Sequence, residues 1–245
     1  MCIIILNRIG RLPISTLKES AKNNPDGGGI MYENKGKIYM ERSLDTKKII
    51  EVYYLLRDYY PNKPLFIHFR IATDGDIDVQ NCHPYKVSNK VSVMHNGILI
   101  NYSNRNTDQS DTRLFIGDIL SNIPEEQLYT NWMRKLLQQA IGQYNKLVFL
   151  NSQGRFMIVN EDMGHWDKQK LNWFSNITYQ RPLRKKGKKV FITPSPPLSR
   201  RTTAVYPKFE FCDVCGAEVY PWENKMCVSC SSAYNAVTDF EKDTD

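Results

Sequence analysis

The 245-residue chain has no apolar run approaching the roughly 20 residues needed to cross a bilayer. Its N-terminus also lacks the basic, apolar and small-residue segments of a secretory signal. Both absences predict a cytoplasmic protein with no membrane partner. Internal repeats and long low-complexity tracts are missing too. Between positions 181 and 201 there is no acidic residue, although the stretch carries Arg181, Arg184, Lys185, Lys186, Lys188, Lys189, Arg200 and Arg201. Those eight account for the formal charge of +7, because the rest of the chain holds 25 basic and 26 acidic residues. The body is therefore neutral and one segment is basic. A run such as RKKGKK reads as a solvated loop or strand edge, and also as a place where phosphates or nucleic acid could bind.

The hydrophobic fraction of 41% and charged fraction of 24% are ordinary for a folded protein. The length suits one substantial core with a small appendage better than two full domains. Proline marks the division, with Pro182, Pro194, Pro196, Pro197 and Pro207 favouring extended, semi-rigid chain. The expected organisation is a catalytic body over 1–180, a basic proline-rich segment over 181–209, and a C-terminal module over 210–245.

Only Met1 stands before Cys2. Removing that methionine would leave one residue carrying both a thiol nucleophile and a free α-amine. An α-amine has an unperturbed pKa of about 8, so a sizeable fraction is neutral and able to take the thiol proton. A cysteine at the second position is also compatible with nothing more than a tolerated small residue.

Periodicity gives a coarse map. Met1 to Asn7, with the apolar run CIIIL rich in β-branched side chains, reads as a buried strand, and Leu17 to Asn23 as a short helix. A hairpin is expected around Asn34-Lys35-Gly36. A core helix follows over 45–59, capped by Asp45, with Ile49, Val52, Tyr53 and Leu56 on its buried face. PLFIHFRIAT and KVSVMHNGI read as buried strands. One helix is expected near Asp111, and another over 125–141 with Leu128, Trp132, Leu136 and Ile141 along one face. Segments 147–150, 156–160 and 171–176 complete an antiparallel series.

Along this map lie MCIIIL, NPDGGGIMY at 24–32, HFRIATDG at 68–75, NCHPY at 81–85, VMHNGILIN at 93–101 and SDT at 110–112. The ordered series resembles the class II glutamine amidotransferases, whose glutaminase domain is an N-terminal-nucleophile (Ntn) hydrolase. That resemblance implies an α+β fold, a four-layer αββα sandwich of antiparallel sheets. It implies that Cys2 attacks a glutamine side-chain amide to form a thioester, with no catalytic cofactor. It makes the Asn96 side chain and the Gly97 N–H the oxyanion donors, Arg70 the anchor of the glutamine α-carboxylate, and Asp111 the partner of its α-ammonium. Thr73 and Gly75 would line the carboxylate end, and Asp26 with its glycines would set the loop beneath the nucleophile. Each residue also has a plainer reading: Asn96-Gly97 as a type I′ turn, Arg70 in a surface ion pair, Asp111 as a helix N-cap. His68, His83 and His95 are expected to form hydrogen bonds rather than a metal site, and Cys82 to be a buried thiol.

Three positions depart from the pattern. Ile3 stands where glycine is common, Asp74 where histidine or asparagine is common, and Arg113 follows SDT where an acid is common. A carboxylate at 74 would repel a substrate carboxylate unless paired, which leaves room for a substrate other than free glutamine.

In the C-terminal module, Cys212-Asp213-Val214-Cys215 and Cys227-Val228-Ser229-Cys230 form CxxC pairs separated by eleven residues. Four thiolates at this spacing suit structural, tetrahedral Zn2+ in a zinc ribbon, with iron the competitor, and the closed ligand set argues against a catalytic metal. Metal binding would supply the folding energy of so short a segment. The chain has no room for the second domain that normally uses the ammonia. A separate synthetase subunit is one expectation, and a stand-alone amidase acting on a γ-glutamyl or related amide is another. A reading from a different class makes the basic segment and ribbon a nucleic-acid or protein-binding module.

Overall fold

Three consecutive isoleucines and a leucine, all fully buried, make β1 (Ile3–Asn7) a strand covered on both faces. The computed structural model describes residues 2–73, 75–103, 107–180, 210–211 and 218–219. The chain divides into two compact units, Met1–Leu183 and Arg184–Asp245. In the first, β1 is followed by α1 (Ile14–Asn23), β2 (Gly28–Asn34), β3 (Lys37–Ser43), α2 (Thr46–Tyr59), β4 (Leu65–Phe69), β5 (Tyr85–Lys86) and β6 (Val91–Asn96). Then come α3 (Asp111–Asp118), α4 (Glu125–Leu128), α5 (Asn131–Ile141), β7 (Lys146–Asn151), β8 (Phe156–Val159), β9 (His165–Trp166) and β10 (Asn172–Phe174). In the second unit, β11 (Glu210–Phe211) pairs antiparallel with β12 (Glu218–Val219).

The body holds a six-stranded sheet, ordered β3-β2-β4-β1-β10-β9, and a four-stranded sheet, ordered β5-β6-β7-β8. Every pairing in both is antiparallel. Strand alternation sends successive side chains to opposite faces, and the buried clusters follow it. Ile4, Leu6, Met31, Phe66 and Trp173 of the larger sheet pack against Met94, Val148, Leu150 and Ile158 of the smaller. On the outer face of the larger sheet, Ile3, Ile5, Ile30 and Ile67 meet Leu17 and Ala21 of α1 and Ile49 and Tyr53 of α2. The outer face of the smaller sheet is covered by Phe115 of α3, Leu128 of α4, and Met133, Leu137 and Ile141 of α5. The layers are thus helices, sheet, sheet, helices. Trp173 is the largest fully buried side chain among the described residues, so Trp173→Ala would cost about 3–5 kcal/mol through the cavity it leaves.

The hairpin expected at 34–36 forms with Lys35 and Gly36 both at positive φ, 50° and 78°, as a type I′ connection requires. Asp45 caps α2 by accepting from Lys47 N at 2.9 Å. Two expectations are corrected. The helix predicted over 125–141 is broken, because Thr130 caps a fresh start through Met133 N. The restart resets the phase, so Met133, Leu137 and Ile141 are buried while Trp132 and Leu136 stand 54% and 50% exposed. Asp111 is also not the cap of α3; Ser110 Oγ takes that role by accepting from Arg113 N, which leaves the Asp111 carboxylate for other partners.

Candidate active site

Antiparallel register brings four chain segments to one edge of the sheets. Ile3 lies opposite Phe69, Gly28 opposite Phe69 on its other side, and Ile5 opposite Phe174. The residue before β1, the residues before β2, the residues after β4 and the residues after β10 therefore converge. Cys2 Sγ lies 3.4 Å from both Ile71 N and Ile71 O, receiving a hydrogen from one and offering its own to the other. Asp26 braces this segment: its N–H donates to Arg70 O, its Oδ2 accepts from Ala72 N at 2.8 Å, and Gly27 O accepts from Arg70 N. Ile3, bulky where glycine is common, packs into the helix-side core with Ile5 and Leu17.

Cys2, Arg70, Thr73, Gly97 and Asp111 line one cavity of about 20 Å³, room for about one water. Arg70 is buried and its Nη1 donates to Asp76 O at 3.1 Å. Asp111 is held in place by backbone, with Oδ2 accepting from Leu99 N at 2.7 Å and Oδ1 from Thr112 N at 2.6 Å. Gly97 has φ +149°, and a Cβ there would sit 2.0 Å from Asn145 Oδ1, so close approach and backbone angle both require glycine. Asn96 is buried and does not itself line the cavity, although its chain neighbours His95 and Gly97 do. Its Nδ2 donates to Ser175 Oγ at 2.6 Å, and because an amide nitrogen carries two hydrogens, one remains for another acceptor. Asn96 Oδ1 is buried without a partner among the described residues.

Burial pushes the Cys2 thiol up, while the Ile71 hydrogen bond and the Arg70 charge pull it down and Asp111 adds to the rise. A thiol raised in this way is protonated at neutral pH, so a nucleophilic role for it would require a base. The histidines are poor candidates. Burial holds His68 down to about 3 and His83 well below the usual imidazole range. His68 Nε2 donates to His95 O at 3.1 Å, bridging the two sheets. His95 binds Thr112 and Asn145. His83 departs from the expected hydrogen bonding: neither ring nitrogen has a partner among the described residues, although the ring faces the cavity.

The chain matches no protein-family model and no curated protein. Among solved structures, one that it resembles is a glutamine phosphoribosylpyrophosphate (PRPP) amidotransferase from B. subtilis complexed with ADP and GMP, at 14% identity and a TM-score of 0.46. That match covers 71% of this chain and 41% of the other, so the chain spans less than half of that structure's length. Another is a glutamine aminotransferase class-II domain protein from Silicibacter pomeroyi, at 12% identity and a TM-score of 0.38, covering 71% of this chain and 87% of that one. Neither overlap is close enough to carry an argument about this chain, whose chemistry is read from its own side chains.

Several residues that hold the site were not singled out from sequence. Ser175 Oγ accepts from Ile4 N at 2.8 Å as well as from Asn96, and Ser175 N donates to Ile4 O. Asn176 Nδ2 donates to Cys2 O at 2.6 Å. Asn81 ties three loop positions together, with Nδ2 donating to Asp76 O and Asp108 O and Oδ1 accepting from Ser110 N. Arg113 also donates to Asn81 Oδ1, at 3.3 Å, which gives the departure after SDT a structural partner. Only Asn81 lay inside a noted motif. Asp74, the four zinc-candidate cysteines and the basic segment 181–209 lie outside the described residues. Among the described residues no cluster of three metal-ligating side chains occurs, and no helix is long and apolar enough to cross a membrane.

Proposed function

We propose that the chain is an Ntn-type amidohydrolase of the class II glutamine amidotransferase kind, with Cys2 as nucleophile after loss of Met1. The observation that carries this reading is the meeting of Cys2 with Arg70, Gly97 and Asp111 on one cavity, from segments up to about a hundred residues apart. A guanidinium and a carboxylate at the same site suit the two charges of a free amino acid, the first by bidentate pairing with a carboxylate. Cys2 Sγ attacks the side-chain amide carbon while the α-amine takes the thiol proton. The oxyanion forms against the Gly97 N–H and the remaining Asn96 Nδ2 hydrogen, and the intermediate collapses to a thioester as the proton returns to the departing ammonia. Water, deprotonated by the same amine, then hydrolyses the thioester and releases glutamate.

His83 raises a second reading, a cysteine–histidine pair, because its ring nitrogens are unpartnered. Two observations weigh against it. Cys2 Sγ bonds to Ile71 rather than to the imidazole, and burial leaves that imidazole a weak base at neutral pH.

The ammonia would pass to a separate synthetase subunit. The four cysteines would hold structural zinc, a donor set that fits it without an open position. The β11–β12 ladder supports a ribbon reading, since it pairs the residues flanking the first CxxC knuckle. Incubating full-length protein of native N-terminus with 6-diazo-5-oxo-norleucine and weighing it intact tests the proposal. Loss of Met1 with one adduct on Cys2 is expected. An active protein that retains Met1 would refute it.

A further inference from the structure

Behind the site, a chain of hydrogen bonds joins the carboxylate at one end of the cavity to the glycine at the other. Thr112 Oγ1 lies 3.0 Å from Asp111 Oδ1 and 2.8 Å from His95 Nδ1. His95 Nε2 lies 2.9 Å from Asn145 Oδ1, and Asn145 is the side chain packed against the Cα side of Gly97. Asn160 holds Asn145 from behind, donating to its carbonyl oxygen at 2.7 Å. All of these groups are buried.

Counting hydrogens shows that the chain has two arrangements. Asn145 Nδ2 donates to Ile141 O at 2.6 Å, which turns its Oδ1 toward His95, so Nε2 carries the imidazole hydrogen. Burial keeps that imidazole neutral, and Nδ1 is then an acceptor. Thr112 has one hydroxyl hydrogen and two acceptors in reach. A bare carboxylate is the stronger acceptor, so in an empty site the hydrogen goes to Asp111 and His95 is held at one nitrogen only. An ammonium group bound to Asp111 takes up that negative charge, and the hydroxyl turns to His95, fixing the ring at both nitrogens.

On the amidohydrolase reading above, we infer that Thr112 and His95 form a positioning relay, through which an α-ammonium on Asp111 sets the oxyanion donor at Gly97. Recognition of the amino-acid end of the substrate would then raise the rate of the chemical step as well as the affinity. The ligand class follows: a primary amide whose carbon chain also bears an α-ammonium reacts faster than the same amide without one, beyond its tighter binding.

The test compares glutamine with glutaramate, which keeps the amide and carboxylate and lacks the α-ammonium. Ammonia release by the full-length protein gives kcat and KM for each. The unaltered protein should show a higher KM and a kcat at least about 10-fold lower for glutaramate. Thr112→Val keeps the shape and the Thr112 N–H bond to Asp111 but has no hydroxyl; its kcat for glutamine should fall to near its kcat for glutaramate. Thr112→Ser, which keeps the hydroxyl, should preserve the original ratio. A Thr112→Val protein with an unchanged kcat ratio, a Thr112→Ser protein that loses it, or equal kcat values in the unaltered protein would each overturn the relay. Ammonia release that survives Cys2→Ala would sink the amidohydrolase reading instead, a result the Thr112 variants do not produce.

Discussion

Ser175 is the residue whose removal most directly tests how this site is assembled. Its Oγ accepts from Ile4 N at 2.8 Å and from Asn96 Nδ2 at 2.6 Å, and the side chain has no solvent exposure. Ser175→Ala leaves two buried donors without their acceptor, each costing about 1–3 kcal/mol. The Asn96 side chain can rotate toward another acceptor, whereas the Ile4 amide is fixed in β1, so a total of about 2–4 kcal/mol is expected. In a chain of this size that lowers Tm by about 4–16 °C. Activity should fall too, because Asn96 would no longer be aimed. The loss should be about 10- to 100-fold in kcat, less than the roughly 10²–10³ for deleting an oxyanion donor outright. Thermal unfolding and ammonia release from glutamine, on Ser175→Ala, Asn96→Ala and the double variant, separate the two effects. If Ser175 acts through Asn96, the double variant has the kcat of Asn96→Ala alone while keeping the extra destabilisation. Multiplying kcat losses, or a Ser175→Ala protein as stable as the original, would refute the reasoning.

Gly97→Ala should fold poorly or lose at least about 100-fold in kcat, since its Cβ would meet Asn145 Oδ1 and φ +149° disfavours any side chain; circular dichroism with ammonia release checks both. His68 is held down to about 3, so its contribution to stability is fully present above the usual imidazole range and is lost as pH falls from about 6.5 toward 3. Urea unfolding between pH 7 and 4 should show His68→Gln reducing the acid slope by up to about 1.4 kcal/mol per pH unit, and an unchanged slope would count against a buried neutral imidazole. Elemental analysis of the full chain should find about one zinc, reduced by Cys215→Ser or Cys230→Ser; iron at that stoichiometry, or no metal at all, would contradict the ribbon proposal.

Much of the fold was legible because it rests on short-range signals. The apolar run of β1 and the turn at Lys35-Gly36 depend on neighbouring residues, and the structure follows them. The phase of α5 was not legible. Leu128, Trp132 and Leu136 have helical spacing, but Thr130 restarts the helix and hands the buried face to Met133 and Leu137. Within the site, Gly97 and Asp26 were marked by the motifs HNG and NPDGGG, whose roles the family resemblance implied. Ser175 and Asn176 did not, because LNWFSN reads as the end of a strand, and their partners Ile4 and Cys2 are 171 and 174 residues away. Only the register of β1 against β10 brings them together.

On the proposed reading, in which Cys2 becomes terminal and acts as its own base, that register also supplies what would hold the residue steady. A chain end has no preceding peptide to fix it, so its orientation depends on what its carbonyl and side chain touch. Asn176 holds the Cys2 carbonyl, which sets rotation about the Cα–C bond, and Ile71 holds Sγ from both sides, which sets rotation about Cα–Cβ. With both torsions fixed, the direction of the α-amine relative to the sulfur follows from covalent geometry alone. On that reading Asn176 is a positioning residue for Cys2 as well as part of the fold. Its own Oδ1 accepts from Thr178 N and Thr178 Oγ1, so the amide that grips Cys2 is itself held in place.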